Sequence, residues 1–342
     1  MVMMRHAPVY LPLVDLATLK EGHVIQMYHR NRQTIIELCT QLEPDLLPAI
    51  HHPYAIPPLV QVLSVLHLFA SGSFQMTVGL EAGMSQPMFS NVLKDILCAL
   101  LGYLPCYIRI PQHADLATVK AAFYDLAHVP YVIEAIGDTN IALVLPRINE
   151  QVFRNQKTFY SIDVQVCLAD QYIFQVTAKF PGSVHNSCIL QNSNVPHMIV
   201  KLQRDQAWLI GDSGYPILPW LLRYKTTDGV KHFNEAHSRM RCVIERTFGL
   251  LKDRFCCLHI SRGALFYKPL KVCRFVVSCC MLHNLALRTL LDVEEVVAVQ
   301  VVDEGDVVSD EEEDDEDAAD SGAELTQQYF LRETVREIKQ IS

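Results

Sequence analysis

Long apolar runs are missing from this sequence. The two longest, Ile96–Ile108 and Phe275–Leu287, each contain 13 residues, whereas a helix needs roughly 20 to span a bilayer. The first twenty residues include Arg5, His6 and Asp15 and therefore have no uninterrupted apolar segment of the kind that directs secretion. We expect neither membrane insertion nor secretion.

Paired cysteine motifs are missing as well. The 11 cysteines form no Cys-x-x-Cys pair, which excludes the commonest zinc and redox signatures. Many of them lie within apolar segments, where a free thiol behaves as a small hydrophobic group. An odd number of such thiols without a secretion signal indicates a reducing compartment. A clear Lys and Arg run for nuclear import is also lacking.

Charge is divided unevenly along the chain, whose net charge is −9. Residues 292–342 hold 18 acids and 3 bases, including eight consecutive acids at Asp310–Asp317, whereas residues 1–291 carry a net charge of +6. A mildly basic body indicates a polyanionic partner, although solubility alone accounts for this charge equally well. The acidic run predicts a solvated linker, followed by a capping box at Ser321 that opens a C-terminal helix.

Residues 1–120 are predicted to form a helical N-terminal domain. Apolar residues at helical spacing over Leu59–Phe69 are followed by two shorter helical segments, Phe74–Ala82 and Gln86–Leu97, joined by a turn at Gly83. This is the outline of a helix-turn-helix unit. Lys94 on its second helix is a candidate DNA contact, but many helical bundles share the same outline.

Residues 121–291 alternate strand and helix patterns. Ile162–Leu168 and Tyr172–Phe180 are rich in β-branched and aromatic residues and are separated by three residues, which predicts a hairpin. Apolar runs at 131–136, 141–145 and 208–210 predict further strands, and 234–255 predicts a long helix. This order favours an α/β fold with a mixed sheet flanked by helices.

Three acidic residues lie at the borders of these apolar segments. Asp138 and Asp212 follow apolar runs, and a right-handed crossover would make their strands parallel neighbours, with both carboxylates near the carboxyl ends. Glu245 lies beside the apolar stripe of the long helix. A simple pairing of Glu245 with Arg241, four residues earlier, is the alternative to a catalytic role.

Several segments resemble the PIF/Harbinger superfamily of DDE transposases, and most closely its domesticated, nuclease-like branch. The similarity covers roughly residues 60–290 in the order expected for that family. The matching pieces are FPGSVHNSCIL at 180–190, WLIGDS at 208–213, AHSRMRCVIERTF at 236–248, KDRF at 252–255, GAL at 263–265 and CMLHN at 280–284.

The resemblance implies an RNase-H-like fold with a catalytic and metal-binding triad of Asp138, Asp212 and Glu245. Three carboxylates suit Mg²⁺ or Mn²⁺, which prefer oxygen ligands. Two such ions would activate the attacking water and stabilise the leaving oxygen of a DNA phosphodiester. The implied activity is therefore that of a metal-dependent DNA nuclease, a hydrolase.

Basic residues around the triad are candidate contacts to the DNA backbone. Besides Lys94, they are Arg239, Arg241, Arg246 and Lys252 on the long helix, and ordinary solvated charge is the alternative for each of them. The resemblance implies that a separate Myb-like protein supplies sequence recognition and nuclear entry. It therefore implies a nuclear protein with a share in the cytoplasm.

Two positions depart from the family pattern. The segment after Asp138 is one residue shorter, which alters which strand residues share a face, and Asn186 stands where the family has an acid. Two rival hypotheses therefore stay open beside the nuclease. One is a catalytically silent DNA- or chromatin-associated adaptor, and the other is a transposase that is still mobile.

Overall fold

The computed structural model describes residue 16 and residues 18–47, 55–110, 113–144, 150–202, 207–216, 218–223 and 231–290. The acidic run and the predicted C-terminal helix lie outside these residues. Eleven α-helices are found within the described ranges: α1 Glu21–Tyr28, α2 Arg32–Leu46, α3 Pro58–Ser71, α4 Gln75–Glu81, α5 Gln86–Gly102, α6 Leu104–Tyr107, α7 His113–Ala127, α8 Asn186–Gln191, α9 Val195–Leu202, α10 Lys231–Arg254 and α11 Pro269–Leu290. The described strands are β1 Val132–Ala142, β2 Ser161–Ala169, β3 Tyr172–Pro181, β4 Trp208–Ile210 and β5 Leu221–Leu222.

The expected helix-turn-helix outline is present as α4 and α5. Gly83, which adopts a φ of 70°, forms the turn between them, and Pro87 occupies the first turn of α5, where its missing N–H costs nothing. Lys94 is exposed on α5. The helices α3 and α5 share one hydrophobic cluster with α11 and the sheet, so this unit is anchored to the rest of the fold.

The five strands form one mixed sheet in the order β3-β2-β1-β4-β5. β2 and β3 are the predicted hairpin, and β1 pairs antiparallel with β2. β1 pairs parallel with β4, which leads into Asp212. The expectation that the strands of Asp138 and Asp212 are parallel neighbours is therefore confirmed.

The prediction of a break between two short strands around Asp138 is wrong. β1 runs unbroken from Val132 to Ala142, so Asp138 lies within the strand. The polar segment continues the strand because β2 supplies partners in register, with Asp138 opposite Gln165 and Asn140 opposite Asp163. Polarity at this point reflects a polar pocket over the sheet, which sequence pattern does not distinguish from a turn.

The two faces of the sheet are covered by different helices. A Cβ placed on Gly137 would lie 2.6 Å from Ile244 Cγ2 of α10, so Gly137 faces that helix. Side chains alternate along a strand, and Asp138 accordingly faces the opposite side, where Asn186 of α8 contacts it. The strand therefore presents its carboxylate away from α10.

The long apolar helix α11 is a core element. Its segment Pro269–Arg288 is long and apolar enough to cross a membrane, but 72% of its apolar 18-residue stretch is buried inside the fold. Arg30 donates a hydrogen bond to the carbonyl of Leu282 on this helix and stacks over Phe255. These contacts tie the first helices of the chain to α11.

Replacing Gly137 by alanine should destabilise the fold. The new methyl group would overlap Ile244 and push α10 from β1, and overpacking of this kind costs about 1–3 kcal/mol. Chemical denaturation of both proteins measures the loss. Gly249→Ala is the matched control, because a Cβ there meets nothing within 4 Å and alanine favours the helix. Equal stability of the Gly137→Ala variant and the parent would contradict this packing.

Glu134 should make the fold less stable as pH rises. Burial raises the pKa of Glu134 from 4.5 to about 8, and no described residue hydrogen-bonds either carboxylate oxygen. Between those pH values the unfolded chain gives up a proton that the folded chain keeps, so unfolding becomes easier. In Glu134→Gln this part of the pH dependence should vanish. Denaturation at several pH values from 5 to 8 gives the free energy of unfolding of both proteins. Parallel slopes of this free energy against pH would refute a raised pKa for Glu134.

Candidate active site

Asp138 receives a short hydrogen bond from the first residue of α8. The Asn186 side-chain nitrogen Nδ2 donates to Asp138 Oδ1 over 2.6 Å. α8 begins at Asn186, shortly after the 181–183 turn, where Gly182 is required because a Cβ there would overlap the Ser161 hydroxyl. This close approach of the turn to β2 brings Asn186 over the sheet.

Asp212 reaches the same place from β4. The strand ends at Ile210, and Asp212 Oδ1 accepts a hydrogen bond from the Gly214 backbone N–H over 3.0 Å. A Cβ on Gly214 would lie 3.1 Å from Asn186 Nδ2 and 3.3 Å from Asp212 Oδ1. Asn186 and Asp212 therefore line the same small space, and Asp138 borders it through its bond to Asn186.

Asp212 is close enough to Asp138 to perturb the pKa of its carboxyl group. Burial raises the pKa of Asp138, and the charge of Asp212 raises this pKa further. The hydrogen bond from Asn186 and the charge of Arg241 act in the opposite direction. A carboxyl group whose pKa is raised by burial and by a neighbouring charge is a common property of functional sites.

α10 is attached to the Asp212 loop through His237. Its ring nitrogen Nε2 lies 2.8 Å from the Gly211 carbonyl oxygen, and the side chain is buried. Burial lowers the pKa of His237, so the neutral ring donates this hydrogen bond. The contact fixes α10 against the residue that precedes Asp212.

Glu245 does not join the two aspartates. Its side chain is 65% exposed, and its Oε1 lies 3.2 Å from Arg241 Nη2 in an i,i+4 salt bridge. In the described part of the chain, no three His, Cys, Asp or Glu side chains are arranged to hold a metal ion. The alternative pairing with Arg241 is thus the one observed, and a catalytic role for Glu245 stays a prediction.

The candidate DNA contacts on α10 divide between its two flanks. Lys252 Nζ donates to the Thr139 hydroxyl over 2.7 Å and so lies beside β1. Arg241, which pairs with Glu245, is about three helical turns earlier on the same flank. Arg246 lines a pocket of about 290 Å³ with residues of α7 on the other flank. Arg239 is exposed and, seven residues away, shares that flank. Their binding to DNA stays a prediction.

Sequence reasoning missed three residues of this pocket. Asp163 and Gln165 lie on β2 beside Asp138, and the Gln165 amide donates to the Tyr215 hydroxyl over 3.2 Å. Burial raises the pKa of Tyr215, as do the charges of Asp138 and Asp212. The available signal was two polar residues at a spacing of two within the apolar run 162–168, which places both on one face.

Asp138 and Asp212 provide oxygen ligands of the kind that Mg²⁺ and Mn²⁺ prefer. One oxygen of each carboxylate is held by a described donor, which leaves the second oxygen of each for a ligand. The donor chemistry of this pair therefore fits a divalent cation.

A mixed sheet with helices on both faces, bringing two aspartates together from parallel neighbouring strands, is the architecture of an α/β domain of the RNase-H-like kind. The family described as DDE superfamily endonuclease matches residues 138–284. The chain belongs to this family and, within it, to the Harbinger-derived proteins.

Sequence identity to members of this family supports the assignment. The chain is 32% identical over 278 residues to the proteins named "Putative nuclease HARBI1" of Homo sapiens and Bos taurus, with 80% of this chain and 80% of each relative covered. It is 25% identical over 291 residues to "Protein ALP1-like" of Arabidopsis thaliana, covering 78% of this chain and 70% of the relative. No solved structure gives a significant match.

Replacing Asn186 by aspartate should make stability depend on divalent cations. The variant loses the hydrogen bond to Asp138 and gains a negative charge beside two carboxylates, so its melting temperature in EDTA should fall by several degrees. Millimolar Mg²⁺ should raise the melting temperature of the variant by more than it raises that of the parent. Thermal unfolding with and without Mg²⁺ measures both changes.

Asn192→Asp is the matched control, because Asn192 lies at the other end of α8 and its amide bonds to the Cys188 carbonyl. Its response to Mg²⁺ should equal that of the parent. An Asn186→Asp variant with an unchanged melting temperature in EDTA and an unchanged Mg²⁺ response would show that the three side chains do not interact.

Proposed function

We propose that this chain is a divalent-metal-dependent DNA nuclease that uses Asp138 and Asp212 as its principal carboxylates and Glu245 as the third. The observation that carries the proposal is the meeting of the two aspartates around Asn186 and Gly214. Membership of the DDE superfamily endonucleases supports the reaction class.

The pocket is arranged to hold each aspartate in one orientation. Asn186 holds one oxygen of Asp138, and the Gly214 N–H holds one oxygen of Asp212. The second oxygen of each is left to bind Mg²⁺ or Mn²⁺. When bound, such a cation lowers the pKa of the attacking water and stabilises charge on the phosphate and leaving oxygen. Because the carboxylates are already oriented, little conformational entropy would be lost when the cation binds.

Glu245 requires a rearrangement to take part. Its exposed salt bridge with Arg241 is of the kind that contributes about 0.2–1 kcal/mol, so binding of DNA or a cation can replace it. Arg241 already acts on Asp138 through its charge. Once released from Glu245, it would be free to contact a phosphate.

DNA is the proposed substrate and partner. Lys94 on α5 and the α10 cations Arg239, Arg241, Arg246 and Lys252 would contact the phosphate backbone, which gives affinity without sequence recognition. We propose that a Myb-like protein supplies sequence recognition and that the chain acts in the nucleus, with a share in the cytoplasm.

A catalytically silent DNA- or chromatin-associated adaptor is the second candidate. The exposure of Glu245 and its pairing with Arg241 favour it, since a nuclease needs all of its carboxylates at the phosphate. In this case the family fold would serve binding alone, and the aspartates would persist as a structural pair.

Nicking of supercoiled plasmid separates the two candidates. The full chain should convert it to the open circle in Mn²⁺ or Mg²⁺ but not in EDTA, and Asp138→Asn, Asp212→Asn and Glu245→Gln should each lower the rate by at least about a hundredfold, since each removes a charge from the cation site. Gel electrophoresis of timed samples measures the rates.

Asp253→Asn, an exposed acid on the same helix as Glu245, serves as the control and should cut at the parental rate. Equal rates in all variants would indicate a contaminating nuclease and count against the site. DNA binding without cutting by the parent, under every metal condition, would establish the adaptor in its place.

A further inference from the structure

Asp163 is a buried carboxylate that lies beside the two aspartates without a complete set of partners. It is 3% exposed, and within the described part of the chain nothing hydrogen-bonds its Oδ1. An unpaired carboxylate in such a place is costly. A cation bound beside this oxygen would offset part of that cost.

Its position on β2 directs Asp163 toward the candidate site. It pairs with Asn140, two residues from Asp138 along β1, so its side chain lies on the same face as that of Asp138. Diagonal neighbours of this kind have Cα atoms about 7–8 Å apart and side chains that are closer. Burial raises the pKa of Asp163 from 3.8 to about 8, and the charges of Asp138 and Asp212 raise it as well, in agreement with this placement.

Gln165 adds a second unpaired oxygen to the same wall. It pairs directly with Asp138 across the strands and is 1% exposed. Its amide nitrogen donates to Tyr215, while its Oε1 has no donor among the described residues. Two buried acceptor oxygens that both border Asp138 form an environment rich in acceptors and poor in donors, which suits a hard cation.

We propose that Asp163 is a further metal-binding carboxylate, which with Asp138 and the Gln165 carbonyl oxygen forms the β1–β2 side of the divalent-cation site. This inference rests on the proposed function, because it names an additional ligand of the same cation. Asp163 would act in addition to Glu245, which is exposed on α10 and pairs with Arg241.

Mn²⁺ binding to the full chain tests the assignment without any activity measurement. Electron paramagnetic resonance of free Mn²⁺ gives the affinity of the parent and of Asp163→Asn, which has nearly the same shape. The variant should bind at least about tenfold more weakly, because a loss of this size is typical even for residues that only hydrogen-bond to a metal ligand. All proteins compared carry the same acidic tail, so its weak binding cancels.

Glu134→Gln is the matched control. Glu134 is also fully buried on this face of the sheet without a described hydrogen bond, and it lies four residues before Asp138. Its replacement should leave Mn²⁺ affinity within about twofold of the parent. An Asp163→Asn variant that binds as tightly as the parent overturns the inference and leaves the proposed function intact. If the parent itself binds no Mn²⁺ above the acidic tail's contribution, the proposed function fails first.

Asp163→Cys separates direct coordination from an effect of charge alone, and it provides a second variant should Asp163→Asn not fold. A thiolate prefers soft cations, so a direct ligand predicts weaker Mn²⁺ binding together with a new tight Cd²⁺ site, seen as added cadmium–thiolate absorbance over the parent. Glu134→Cys controls for the extra thiol. No gain of Cd²⁺ binding in folded Asp163→Cys would exclude coordination by residue 163.

Discussion

The packing of Gly137 against Ile244 sets the geometry on which the rest of the site depends. A Cβ at residue 137 would lie 2.6 Å from the Ile244 side chain, so the strand can approach α10 only with glycine there. Alternation along β1 then fixes Asp138 on the far face and returns Thr139 to the α10 side, where Lys252 contacts its hydroxyl. The absence of a side chain at Gly137 thus determines that Asp138 lies on the face of the sheet opposite α10.

On the face that receives Asp138, acceptor oxygens outnumber the donors that serve them. Asn186 and the Gly214 N–H each hold one carboxylate oxygen, while Asp163 and Gln165 keep buried oxygens without a described donor. A fold built for stability alone would replace these groups with apolar ones, as elsewhere on this face, where Ile136 and Cys167 are fully buried. Stability given up at one pocket is a frequent mark of a binding site.

The sequence predicts most of the architecture because its signals are local. The β2–β3 hairpin, the helix-turn-helix outline and the long α10 follow from periodicity and turn residues, and the crossover rule places β1 beside β4. What it cannot predict is the continuity of β1 through Asp138, because a polar segment within a strand and a turn look alike until the partner strand is known. Asp163 is overlooked for the same reason: its role depends on facing Asp138 across two paired strands.

The family resemblance identifies the candidate acids but not their arrangement. Asp138 and Asp212 meet because parallel strands deliver them to one place, a relation that tolerates small changes in the loops. Glu245 depends instead on the rotation of a helix, and a rotation of one residue is about 100°. Its present partner, Arg241, sits on the same flank of α10, so small changes there decide whether the glutamate serves a salt bridge or a cation.

That dependence also explains why a strand carboxylate is the more robust partner for the two aspartates. Asp163 is held by the β1–β2 ladder, which is continuous in register from Ala135 to Ala142, whereas Glu245 is on an exposed side chain that must be drawn in. Bringing the glutamate to the aspartates costs its salt bridge and side-chain freedom, together about 2–3 kcal/mol. A bound cation with phosphate can offset that cost, whereas Asp163 already lies on the strand next to that of Asp138. In the site we propose, the substrate would add the helix glutamate to carboxylates that the sheet already positions.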